Sequence, residues 1–215
     1  MSLNKEGYEQ EQLRKSAWKV ALQEKHHTAL ELIIKIDGPR LVIDLSDIME
    51  LYSLNTQLVY KALEQNVMIS RDEISGSGSL SKLFKHGENK NESNYTPMTY
   101  IDILTALLEN DADNQECNKV LSKISDPQTL NSVVALLIVH DRILLMNEVM
   151  EHNNIEFDPR FIQVAIESDS FGILFELKDK YLQQFSQNES DYLNSIVYSV
   201  SSSNSFWLAK LHIIK

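Results

Sequence analysis

Apolar residues recur at helical spacing along most of this 215-residue chain, and that periodicity limits the possible folds more than any other feature. In 16-SAWKVALQEKHHTALELIIKID-37, Ala17, Val20 and Ala21 form one set, and Ala29, Leu30, Leu32, Ile33, Ile34 and Ile36 form another. Each set has the i, i+3, i+4 pattern of an amphipathic helix. The polar break between them, Gln23–His27, is too short for a strand and suits a tight helix–helix turn. Gly38-Pro39 then stops the second helix. A similar pair follows: Asp44 or Ser46 caps 47-DIMELYSL-54, and Asn55-Thr56 starts 57-QLVYKALEQN-66. Only six Gly and four Pro are present, too few for the hairpins of a turn-rich β fold. The expectation is all-α, with 40-RLVID-44 as the one segment that also reads as a short strand.

Composition changes at 70-SRDEISGSGSLSKLFKHGENKNESNY-95, which is rich in Ser, Asn and Lys and holds three of the six glycines. It reads as a mobile linker or inserted loop with one short helix around Leu80, Leu83 and Phe84. The expected organisation is therefore N-terminal helix pairs over 1–69, this insert over 70–95, and C-terminal helix-pair repeats over 96–215. In the last part Asp126-Pro127, Asp158-Pro159 and Glu189-Ser190-Asp191 each precede an expected helix start.

Three segments can be written over one another with Ala21, Ala135 and Ala165 in register, each followed by a polar break and a bulkier aliphatic helix. A looser fourth copy starts at Ser199, with Ser203-Asn204-Ser205-Phe206 matching Ser168-Asp169-Ser170-Phe171. A small residue in a first helix, a short turn and a bulky second helix make up the unit of a stacked helix-pair array. Ala lets neighbouring inner helices approach closely, and larger aliphatics fill the space behind.

Thr96-Pro97-Met98-Thr99-Tyr100 resembles the start of an ankyrin repeat, and Leu107–Asp113 resembles its closing loop, with Asp111 where Gly is usual. Lys25-His26 stands where the family has Gly-His. Pro97 and Leu107 are too close together to bound one intact unit, and the turn glycines are absent throughout. The resemblance is to a degenerate ankyrin array or a related α-solenoid. It implies stacked antiparallel helix pairs and a protein-binding role. It also implies a concave surface near Asn131, Gln163, Glu167, Asn194 and Tyr198. The low-glycine, Ile- and Asn-rich style is similar to that of effectors of intracellular bacteria, and a module of a larger multidomain protein fits equally. The alternative is a regulatory or catalytic fragment of an enzyme.

Charge narrows the partners. The net charge is −11, and residues 101–170 contribute thirteen acids against four bases. Phosphate backbones and anionic membranes attract Lys and Arg, so neither is the expected partner. If charge selects, it selects a protein with a basic surface. An acidic solvated face that aids solubility is the simpler reading of the same residues.

Little catalytic chemistry is visible. His26 and His27 are adjacent and project about 100° apart on a helix, so they do not share an ion. A calcium loop starting at Asp111 would need Gly and Glu where Glu116 and Ser122 stand. No nucleotide fingerprint or nucleophile elbow occurs, so no metal or cofactor is expected. The lone cysteine, Cys117, excludes an intrachain disulfide and fits a reducing compartment. The N-terminus is polar and lacks a secretory signal, which points to the cytoplasm or to signal-free export into a host cell. The terminal 206-FWLAKLHIIK-215 is apolar enough to pack on further chain or on a second copy.

Overall fold

The computed structural model describes residues 5–70, 95–181, 186–191 and 194. The chain is mostly helical. In order, α1 spans Lys5–Gln23, α2 His27–Asp37, α3 Leu45–Leu54 and α4 Thr56–Glu64. After the insert, α5 spans Tyr100–Glu109, α6 Asn114–Leu121, α7 Pro127–Val139, α8 Ile143–His152, α9 Arg160–Glu167 and α10 Phe171–Tyr181.

Each odd-numbered helix packs on the even-numbered helix that follows it. Between pairs, first helices meet first helices along α1, α3, α5, α7 and α9. Second helices meet along α2 and α4, and again along α6, α8 and α10. The apolar run 133-VVALLIV-139 lies in α7, and Val133 through Ile138 are all buried. A helix that is apolar all round must be enclosed on all sides, and α7 has neighbours in its own pair and in both adjoining pairs.

Polar residues in left-handed backbone make four of the five turns within pairs, and α3 joins α4 through Asn55 in extended backbone. Lys25, Asp111, Asp141 and Asp169 have φ between 51° and 55°. After each of them the next N–H reaches back to a carbonyl in the first helix: His26 to Ala21, Ala112 to Leu107, Arg142 to Leu137, and Ser170 to Ala165. These bonds measure 2.9–3.0 Å. This closure satisfies carbonyls that the helix end would otherwise leave orphaned. Asn66 and Asn154 use the same closure at the ends of α4 and α8.

The turns correct two sequence readings. Ala165 matches Ala21 but its counterpart in α7 is Leu137, two residues beyond Ala135. Leu107–Asp113 is the turn between α5 and α6 within a pair, so it does not close a unit.

Helix starts follow the expected caps with two exceptions. Asn55 accepts from Gln57 N and Asp126 from Thr129 N as expected, and Asp113, which the sequence reading did not single out as a cap, accepts from Glu116 N, all at 2.8–2.9 Å. Thr96-Pro97 does not begin a helix: Thr99 caps α5, and its N–H donates to Asp102 Oδ2 at 2.8 Å. The last described helical turn starts after Ser186, whose N–H and hydroxyl both donate to Glu189, so Asp191 lies inside it.

A small sheet departs from the all-α expectation. β1, Val42–Ile43, lies in the segment with strand-like character and pairs in parallel with β2, Met68–Ser70. β3, Tyr95–Pro97, pairs antiparallel with β2 and sets Ser70 opposite Tyr95. The chain thus leaves at Ser70 and returns beside it at Tyr95, so α3 can pack directly on α5. The expected helix around Leu83 lies outside the described residues.

A buried polar network docks α1 on the start of α3. Trp18 Nε1 donates to Asp47 Oδ2 at 3.0 Å, and Lys19 Nζ donates to Asp47 Oδ1 at 2.6 Å and Asp44 Oδ2 at 3.1 Å. The Asp44 N–H also donates to Asp47 Oδ2 at 3.2 Å. Trp18 and Asp47 are at most 2% exposed, and the Trp18 and Asp44 N–H groups both rely on the one Asp47 carboxylate, while Lys19 bridges it to Asp44. Burial pulls the Lys19 pKa down, and the two carboxylates more than offset it. Asp47→Ala therefore leaves the Trp18 N–H and the Asp44 N–H unpaired in the core. It is expected to cost about 3 kcal/mol or more in urea unfolding. At the first turn, Lys25→Gly removes left-handed strain and is expected to gain up to ~1 kcal/mol.

Candidate functional site

A groove of about 850 Å³ lies on the first-helix layer. The C-terminal ends of α1 and α5 wall it, with α3 between them. Helix α3 builds its floor through its periodicity. Ile48, Leu51 and Tyr52 turn into the core, which leaves Ser46, Glu50 and Ser53 exposed and Met49 and Leu54 half-buried. Leu22 and Leu45 add buried apolar surface.

The groove is apolar at its base and carboxylate-bearing at its edge. Glu50 comes from α3, Glu109 and Asn110 from the end of α5, and Lys25 from the α1–α2 turn. Partial burial pushes the Glu109 carboxyl above the usual carboxylate range. A carboxylate that has lost water gains when a cation docks beside it.

The expected binding residues do not converge on this groove. Asn131, exposed on α7, lines a second cleft of about 530 Å³ with Asn153, Asn154, Glu156 and Asp158. Gln163 and Glu167 are exposed on α9 and bonded to each other at 2.9 Å. Asn194 is exposed on the helix beyond Ser186, and Tyr198 lies outside the described residues. Sequence reasoning missed the α3 residues. Their signal was the polar stripe Ser46, Glu50 and Ser53 beside Met49, at i, i+4, i+7 spacing.

The reactive side chains sit elsewhere. Cys117 is fully buried in α6, and burial pushes its thiol pKa up, against a smaller opposing pull from Arg142. It stays protonated, which makes it a poor nucleophile. Nearby, His140 Nε2 and Arg142 Nη2 are covered and have no hydrogen-bond partner. Arg142 Nη2 lies 3.5 Å from Asp111 Oδ1, an ionic contact too long for a good hydrogen bond. Asp141, in the turn itself, accepts from Ile173 N at 3.2 Å and so holds the start of α10. Among the described residues no group of three or more His, Cys, Asp or Glu is placed to hold a metal ion. No described helix is long and apolar enough to cross a membrane.

Compared with known families, curated proteins and solved structures, the chain matches no family model, no curated protein and no solved structure.

His140 gives a testable pH dependence. Burial first, and then the Arg142 charge, hold its pKa below 6.5. The folded state thus favours neutral imidazole. The stability this gives is fully present above pH 6.5 and is lost as pH falls through the lower folded value. Unfolding free energy is expected to fall between pH 7 and pH 5, with His140 contributing a slope of at most about 1.4 kcal/mol per pH unit. The His140→Leu variant should show a flatter profile in denaturant titrations across that range.

Proposed function

We propose that the chain is a protein–protein interaction module built on degenerate ankyrin-like helix pairs, and that its α1–α3–α5 groove takes a basic, amphipathic segment of another protein. The groove carries this reading. It joins an apolar floor of Leu22, Leu45, Met49 and Leu54 to the exposed carboxylates Glu50 and Glu109. An incoming helix would lay its apolar stripe on the floor and bring Lys or Arg to the edge, as helix-in-groove recognition requires. Net charge of −11 would steer basic partners toward the surface.

The ankyrin-like part is supported by the order of packing, first helix on first helix and second on second. The left-handed turns at Lys25, Asp111, Asp141 and Asp169 also support it, because they supply without glycine the backbone shape that glycine usually provides. The lone buried thiol fits a cytosolic setting, in the producing cell or in a host reached by signal-free export. Asn131, Gln163, Glu167 and Asn194 remain proposed contacts for a partner that extends along the stack.

The test is selection of a displayed random-peptide library on the wild-type chain and on Glu50→Lys/Glu109→Lys. Wild type is expected to enrich segments with Lys or Arg beside Leu or Ile at helical spacing. Their binding should weaken with salt and drop at least tenfold on the charge-reversed variant. Selected peptides without basic residues, or with equal affinity for both proteins, would overturn the reading. Repeating the titration with Gln163→Ala/Glu167→Ala measures whether recognition reaches α9.

A further inference from the structure

Basic residues sit at the ends of only half of the paired helices. The second helix of each described pair has one in its last turn: Lys35 in α2, Lys61 in α4, Lys119 in α6, His152 in α8, and Lys178 and Lys180 in α10. The last turns of the first helices, α1, α3, α5, α7 and α9, carry none. Aligned peptide dipoles leave about half a negative charge at a helix C-terminus, and a cation in the last turn offsets it. The second helices are offset in this way and the first helices are not.

Three of the uncompensated ends line the groove. Leu22 and Gln23 come from the end of α1, Ser53 and Leu54 from the end of α3, and Glu109 and Asn110 from the end of α5. These three helices run in the same direction. Ile43, just before α3, and Thr96, just before α5, both pair with Ile69 on the strand between them. Two helices that leave one small sheet and pack along each other are parallel. For α1 the evidence is on the second layer. Gly38 follows α2, Gln65 follows α4, and a Cβ on Gly38 would lie 2.6 Å from the Gln65 carbonyl oxygen. So α2 and α4 end side by side, and α1 and α3, which reverse into them, run together in the opposite sense.

We infer that the groove reads the direction of its occupant: a bound helix lies antiparallel to α1, α3 and α5, with its first turn, carrying Lys or Arg, at their C-terminal ends. This rests on the reading of the groove as a site for a basic, amphipathic segment, and it adds which end of that segment is basic. The occupant's own N-terminus is the positive end of its dipole. In this orientation it meets three negative ends; in the reverse one, its negative end would meet them instead. Glu50 and Glu109 add two carboxylates to the lining against one base, Lys25. Glu109 is partly buried, and charges act more strongly where water is displaced.

A cation beside a helix C-terminus changes affinity by about two- to fivefold. Two lactam-bridged helical peptides added to the full chain test the inference. Both carry Leu at i, i+3, i+4 and i+7 and a photo-crosslinker at the N-terminus. One has three Arg in its first turn and the other has them in its last. The first-turn peptide is expected to bind at least about fivefold tighter and to crosslink near Gln23 and Asn110. Gln23→Lys/Ser53→Lys puts a cation in the last turn of α1 and of α3, where both side chains are exposed. It should bring the two affinities within about twofold, with no loss of melting temperature. Equal affinities on wild type, N-terminal crosslinks at Leu45 and Ser46, or a preference that survives the double substitution overturns the inference and leaves the groove reading intact. Failure of both peptides to bind overturns the two together.

Discussion

Four of the five described reversals within a helix pair close with one backbone hydrogen bond, made just after a residue held at positive φ. Ala21, Leu107, Leu137 and Ala165 each accept that bond, and the residues that enter the left-handed region are Lys25, Asp111, Asp141 and Asp169. A lone L-residue in that region is tolerated when its neighbours pair well, and Asp tolerates it better than most. With the turn closed, the second helix has little choice but to return along the first. First helices then fall into one layer and second helices into another, and the groove along α1, α3 and α5 follows from that layering. The turns also connect successive pairs: the Asp141 carboxylate caps α10 and Asp111 approaches Arg142.

Two exposed surfaces differ in chemistry. The groove lies where Glu50 and Glu109 rim an apolar floor, so it suits a cationic partner. The outer face of α1 and α2 instead exposes the apolar side chains Leu13, Val20, Leu32 and Ile36. Neither surface uses the buried Trp18–Asp47–Lys19 network, which sets the angle of α1 against α3 and thereby the width of the groove. The groove is thus a surface feature held in place by a polar core contact.

Much of the helical framework was legible because it is local. Asn55 and Asp126 cap where their side chains can reach the first free N–H groups, and the 3.6-residue apolar period marks the faces that pack. The candidate site was much less legible. Asn131 and the pair Gln163–Glu167 were chosen by a resemblance in register. The groove depends on α1, α3 and α5, whose residues lie far apart in the sequence, Leu22 to Leu54 on one side and Glu109 and Asn110 on the other. No periodicity within one segment can state that Leu22, Met49 and Glu109 are neighbours.

The sequence by itself determined several helix starts, such as those after Asn55 and Asp126, and which helix faces are apolar, since these are settled by interactions among residues a few positions apart. Only the tertiary structure decided three other features. Leu137 replaces Ala135 in the turn register, because a hydrogen bond counts residues from the turn while composition does not. Thr96-Pro97 became an edge strand, because β2 offered a partner that no local pattern reveals. The apolar residues on the outer face of α1–α2 stayed exposed while those of α7 were enclosed, because burial depends on which pairs lie on either side.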